Sequence, residues 1–122
     1  MALLESGEMY LETIYTLLKS TKELHAIDIV EKMEYSKPSV SRALSILKRD
    51  GYVTVDEKAH IHLTEKGIEA AERVYQRHVV LTSFLTHIGV DESIASNDAC
   101  KIEHVISDET LSAIKSYMES KQ

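Results

Sequence analysis

A thiol, a carboxylate and an imidazole fall within five residues near the end of the chain, at Cys100, Glu103 and His104. On an α-helix, positions i, i+3 and i+4 share a face, so a helical segment would make the three groups converge. Thiolate, carboxylate and imidazole donors on one face suit a divalent transition metal. The same pattern also fits the solvated stripe of an amphipathic helix. Three groups leave coordination positions open, and other donors exist. Met9 and Glu12 lie three apart on an early apolar-periodic segment, and His78 follows Arg77. Met9 equally suits core packing, and Glu12 and His78 equally suit a solvated surface.

A second constellation points to nucleic acid. Ser36-Lys37-Pro38-Ser39 opens a helix, with Ser36 as N-cap and Pro38 in the first turn, where a missing N–H costs nothing. Val40, Ala43, Leu44 and Leu47 form its buried stripe, which leaves Lys37, Ser39, Ser41, Arg42 and Ser45 on the other face. Between Lys37 and Arg49 there are four basic residues and no acidic one, in a chain whose net charge is −6. Arg42 can take a guanine bidentately, Pro38 can pack on a thymine methyl, and Ser39, Ser41, Lys48 and Arg49 suit phosphates.

The elements that position these groups follow from periodicity. A first helix is predicted over 7–20 on Leu11, Ile14, Leu17 and Leu18, and a short second one over 26–34 on Ile27, Val30 and Met33. The Ser36 helix ends at Asp50-Gly51, where Gly can take the left-handed cap. Tyr52–Val55 and His60–Leu63, separated by a polar turn, read as a β-hairpin. Thr64 caps a long helix from about 65 to 87, with Ile68, Ala71, Val74, Tyr75, Leu81, Phe84 and Leu85 as its stripe and Gly67 as a mild weakness. Asp91 starts a short turn, and Asn97 or Asp98 caps the helix carrying Cys100, whose apolar side is Ile102, Val105 and Ile106. Ser107-Asp108 opens a last helix bearing Leu111, Ile114 and Met118. The chain is thus mainly α with a small β-hairpin: an N-terminal winged helix-turn-helix over 1–63, then a helical region over 64–122. The surplus apolar faces of that second region are expected to form a homodimer interface.

Composition narrows the classes. Low Gly and Pro counts, 4 and 1, suit a helix-rich globular chain. No apolar run reaches membrane-spanning length, and Met1–Ser6 lacks signal-peptide character, so a cytoplasmic protein is expected. A single cysteine excludes an internal disulfide and fits a reducing compartment. The acidic total argues against non-specific polyanion binding.

The stretch Asn97-Asp98-Ala99-Cys100-Lys101-Ile102-Glu103-His104-Val105-Ile106-Ser107-Asp108-Glu109 resembles the metal-binding helix of the diphtheria toxin repressor family. Glu8–Tyr15 resembles that family's first helix, Ser36–Ser41 its recognition-helix entry and Leu63–Gly67 its segment after the wing. Arg77-His78 and Gly89-Val90-Asp91 fit as well. The resemblance implies a primary metal site of Met9, Cys100, Glu103 and His104, the ligand set of iron-dependent members. Manganese-dependent members carry carboxylates at the methionine and cysteine positions. For the second site, His78 matches both branches and Glu12 matches the manganese branch. The glutamate and histidine of the iron branch are replaced here by Thr82 and Ser96. The chain ends where many iron-type members continue into an SH3-like domain, an architecture resembling the compact manganese-type members.

Together these residues predict a metal-activated repressor, with Fe²⁺ as the ion, that binds a palindromic DNA operator as a homodimer; the resemblance implies metal-uptake genes as its targets. It is not expected to be an enzyme, to engage a membrane or to bind a small organic ligand. A Mn²⁺-responsive regulator of the same fold is the alternative, and a small metalloenzyme is the rival from another class.

Overall fold

The structure is a computed structural model and describes residues 5–121; Met1–Leu4 and Gln122 lie outside the described residues, and with them most of the stretch read for a signal peptide. The chain divides into two compact units, Met1–Glu72 and Arg73–Gln122.

The first unit contains α1 (Glu5–Leu18), α2 (Ala26–Met33), α3 (Lys37–Arg49), β1 (Val53–Val55), β2 (Ile61–Leu63) and the start of α4 (Glu65–His87). Its core gathers Leu11, Ile14, Leu24, Ile29, Val40, Leu47, Val53, Ile61 and Ala71. Each large aliphatic side chain buried there contributes roughly 1.5–3 kcal/mol. The hairpin pairs Val53 with Leu63, Thr54 with His62 and Val55 with Ile61, antiparallel. The N–H of Ile61 also donates to the Leu24 carbonyl at 2.7 Å, which ties the hairpin to the segment before α2.

The apolar face of α2 follows the periodicity reading at Val30 and Met33, which pack against the core, and differs from it at Ile27. Ile29 is fully buried, whereas Ile27 is 43% exposed. The cause is the helix start. His25 is the N-cap and Asp28, at N3, accepts the His25 N–H at 2.9 Å. Leu24 and Ile29 then occupy the N′ and N4 positions of a hydrophobic staple, and both are fully buried. Ile27, two residues from Ile29, is turned to the opposite side. Between α2 and α3, Glu34 takes the left-handed conformation (φ 58°, ψ 33°), and its N–H donates to the Val30 carbonyl. Ser36 caps α3 by accepting the Ser39 N–H at 3.2 Å.

Gly67 is a requirement of packing rather than a weakness of α4. A Cβ at this position would overlap the Tyr52 carbonyl oxygen and crowd Leu63. The first turn of α4 therefore lies directly on the entry to the hairpin. Thr64 reinforces the junction by donating its hydroxyl to the Gly51 carbonyl at 2.6 Å, while Lys66 donates to the Asp50 carbonyl at 2.8 Å.

The second unit holds the rest of α4 with α5 (Glu92–Ile102) and α6 (Asp108–Ser120). The expected break at Asn97-Asp98 is absent, and α5 runs unbroken from its N-cap Asp91, whose carboxylate accepts the Ser93 N–H. Ala95 and Ala99, four apart and fully buried, carry the helix through. Asn97 and Asp98 face out, where polar residues are tolerated. The helix stops at Ile102, so Val105 leaves the apolar side and is 69% exposed. On α4 the buried line is Ala70, Ala71, Val74 and Leu81, and the bulkier Ile68 and Tyr75 lie at its exposed edge. Ser107 caps α6 by accepting the Thr110 N–H at 3.1 Å. No described residue of α6 is fully buried, and Tyr117 meets Phe84 edge-on at 6.2 Å.

Candidate functional site

The second unit is built around Glu103. This residue closes α5 as its C-cap, keeps helical backbone angles and donates its N–H to the Ala99 carbonyl at 2.9 Å. Near-helical geometry thus persists one residue beyond α5 and keeps Glu103 on the Cys100 side. Its side chain is 0% exposed. One carboxylate oxygen, Oε2, lies 3.0 Å from His78 Nδ1, and the other, Oε1, lies 3.3 Å from His104 Nε2. Burying a carboxylate is costly unless it is paired, and here two imidazoles flank it. The His104 side chain is itself almost wholly buried.

Cys100 is exposed, and its Sγ lies 3.8 Å from His78 Nδ1. One donor atom each from His78, Cys100 and Glu103 falls within 4.8 Å of the other two. Donors about 2.0–2.3 Å from a shared ion stand about 3–4 Å apart, so this sulfur–nitrogen–oxygen set fits a divalent transition metal. Ser96 Oγ stands 3.4 Å from His78 Nε2, at the far side of the ring.

Of the sequence-predicted ligands, Cys100, Glu103, His104 and His78 are therefore gathered in the second unit. Met9 and Glu12 lie on α1 in the first unit, both half-buried, with backbone carbonyls that accept the hydroxyls of Thr13 and Thr16. Thr82 is half-buried on α4. One residue that the sequence reading named without a role stands beside the cluster. Arg77 donates from Nη1 to the Glu103 carbonyl at 3.1 Å and from Nη2 to the Asp108 carboxylate.

On the first unit, Ser36, Lys37, Pro38, Ser39, Ser41 and Arg42 are all exposed, while Val40, Leu44 and Leu47 of α3 are buried. The basic, hydroxyl-rich face of α3 is thus presented outward. At the tip of the wing, Asp56 Oδ1 accepts the N–H groups of Lys58 and His60 at 2.9 and 3.0 Å, and Oδ2 meets His62 Nε2 at 2.9 Å. The His62 hydrogen bond, then the backbone donors, hold this carboxyl down at about 2. No helix among the described residues is long and apolar enough to cross a membrane.

A winged helix-turn-helix in one unit and a thiol–imidazole–carboxylate cluster in the other are the parts of a metal-responsive DNA-binding regulator. Two family models match the chain. Residues 2–61 match the N-terminal DNA-binding domain of iron-dependent repressors, and residues 64–122 match their metal-binding and dimerisation domain. An HTH-type transcriptional regulator of Methanocaldococcus jannaschii is 37% identical over 94% of both chains. The diphtheria toxin repressor of Corynebacterium diphtheriae is 36% identical over 88% of this chain and 48% of its own length. The solved structure of the manganese regulator SloR superposes with a TM-score of 0.81 at 28% identity, over 98% of this chain and 55% of that one. The chain thus spans about half the length of these last two relatives. The chain belongs to the diphtheria toxin repressor family of metal-dependent transcriptional regulators, proteins that bind DNA rather than catalyse a reaction.

Proposed function

We propose that this protein is a homodimeric, metal-activated repressor whose ion is Fe²⁺, bound by Cys100, Glu103 and His104 with Met9 as the thioether donor carried over from the family resemblance. The observation that carries the proposal is the buried Glu103 carboxylate with His78, His104 and Cys100 around it. A bound divalent ion supplies positive charge that offsets the Cys100 thiolate and the Glu103 carboxylate. Cys100 gives up its proton to ligate, so metal affinity falls as acidity rises. His78 holds Glu103 in place from one side and serves as a ligand of a second site, for which Glu12 is a further donor. On the other unit, Arg42 and Pro38 address base edges, and Lys37, Ser39 and Ser41 hold phosphates. The Ser36 hydroxyl is already committed to capping α3, so its part is to aim that helix.

Soft sulfur donors disfavour Mn²⁺ relative to Fe²⁺, and this supports iron. The operator is a palindrome read by two copies, and metal-uptake genes are the targets. Exposed Ile88, Ile94, Val105 and Tyr117 on the second unit support a dimer surface there. The likeness to the manganese regulator SloR favours the second reading, a Mn²⁺-responsive protein.

An anaerobic DNA-binding titration with Fe²⁺, Mn²⁺, Co²⁺ and Zn²⁺ separates the two, using duplexes selected from a random library by the metal-loaded protein. The iron reading expects activation at lower free Fe²⁺ than Mn²⁺, with the gap narrowed in Met9→Ala. Activation at lower free Mn²⁺ would establish the manganese reading instead.

A further inference from the structure

Arg77 and His78 are consecutive on α4, and both reach the same residue. His78 Nδ1 contacts the Glu103 carboxylate at 3.0 Å, and Arg77 Nη1 donates to the Glu103 backbone carbonyl at 3.1 Å. The second arm of the guanidinium reaches Asp108, the first residue of α6. Arg77 therefore brackets the connection from Glu103 to Ser107, which carries Glu103 and His104. That connection is not regular helix: α5 stops at Ile102 and α6 begins at Asp108. Its geometry cannot come from an intrahelical ladder alone, because the last carbonyls of a helix have no partner within it. The Arg77 side chain is 14% exposed, and Asp108 sits in the first turn of α6, where a carboxylate is favoured by the helix dipole. A planar fork with two acceptors at fixed positions orients more strongly than a single flexible cation.

We propose that Arg77 is a positioning residue of the metal centre, setting the angle at which the Glu103–His104 turn presents its donors to a divalent transition metal. The inference rests on the metal reading above. Residues that orient ligands without touching the ion typically change metal affinity about 10- to 100-fold when removed. Helix capping alone would change stability and leave the affinity of the folded protein where it was.

The test is an anaerobic Co²⁺ titration followed by absorbance, in which the thiolate-to-cobalt band reports Cys100 and the ligand-field bands report geometry. Wild type, Arg77→Met, Arg77→Lys and Asp108→Asn are compared, with circular dichroism and melting of each metal-free protein as the control for folding. Arg77→Met is expected to bind Co²⁺ about 10- to 100-fold more weakly with altered ligand-field bands. Arg77→Lys should recover part of the loss, and Asp108→Asn should show a smaller loss in the same direction. A folded Arg77→Met with wild-type affinity and spectrum would overturn the proposal. Should Arg77→Met fail to fold, wild-type binding in both Arg77→Lys and Asp108→Asn would overturn it equally. A wild type without a thiolate-to-cobalt band would instead sink the metal reading beneath it.

Discussion

Glu103 has no exposure to solvent and two imidazoles within 3.3 Å, and Cys100 stands at the open edge of the same cluster. In the proposed account the sulfur decides the choice of ion, because thiolate donors draw the softer first-row metals and carboxylates the harder ones. Cys100→Asp should therefore lower affinity for Co²⁺ and Fe²⁺ and narrow or invert their advantage over Mn²⁺, as read by competition titration. An unchanged order of affinities would mean that Cys100 is not a ligand. Part of this cluster was legible in the sequence, because helical spacing puts Cys100 and Glu103 on one side; His104 lies past the end of α5, in a turn, and meets Glu103 from there. Arg77 was not, since its acceptors lie 26 and 31 residues away and one of them is a backbone carbonyl. Residue typing says nothing about which main-chain oxygen a guanidinium will find.

Among the elements, those with strong local signals follow the sequence closely. Ser36 and Pro38 place the start of α3, and α4 spans Glu65–His87 as its periodicity requires. The second and fifth helices were less legible. In α2 a staple between Leu24 and Ile29 sets the rotation, and in α5 the small residues Ala95 and Ala99 do the packing, so Ile27 and Val105 mislead while Val30 and Met33 pack on the core as their spacing predicts. Gly67 shows tertiary contact overriding propensity. Exchange to Ala would gain about 1 kcal/mol of helix propensity in isolation. Here the added methyl meets the Tyr52 carbonyl, and overpacking against backbone costs about 1–3 kcal/mol or more. Gly67→Ala should thus melt lower than wild type, and a raised Tm would show that propensity wins.

Asp56 holds the hairpin turn by accepting two N–H groups and the His62 ring. Its carboxyl is lowered from 3.8 to about 2, so the stabilisation is fully present above 3.8 and is lost as pH falls through about 2. Asp56→Ala should melt lower than wild type at neutral pH, with the difference closing as melts are repeated down to about pH 2. A difference that stayed constant with pH would assign the effect to something other than the ionised carboxylate.

For the molecule as a whole, the proposed account rests regulation on a division of labour between a DNA-reading unit and a metal-binding unit. The net charge of −6 makes general attraction to DNA weak, and the outward face of α3 supplies a local exception. In the proposed account an ion bound more tightly by the DNA-competent arrangement than by the others shifts the population toward it. A differential of about 1–3 kcal/mol is sufficient for a roughly 5- to 150-fold change in DNA affinity. The central claim is tested most directly by the affinity of the purified protein for its selected duplex, measured anaerobically at one salt concentration with saturating Fe²⁺ and again with chelator. The account predicts binding that is roughly 5- to 150-fold tighter with Fe²⁺; equal affinity under the two conditions would contradict it.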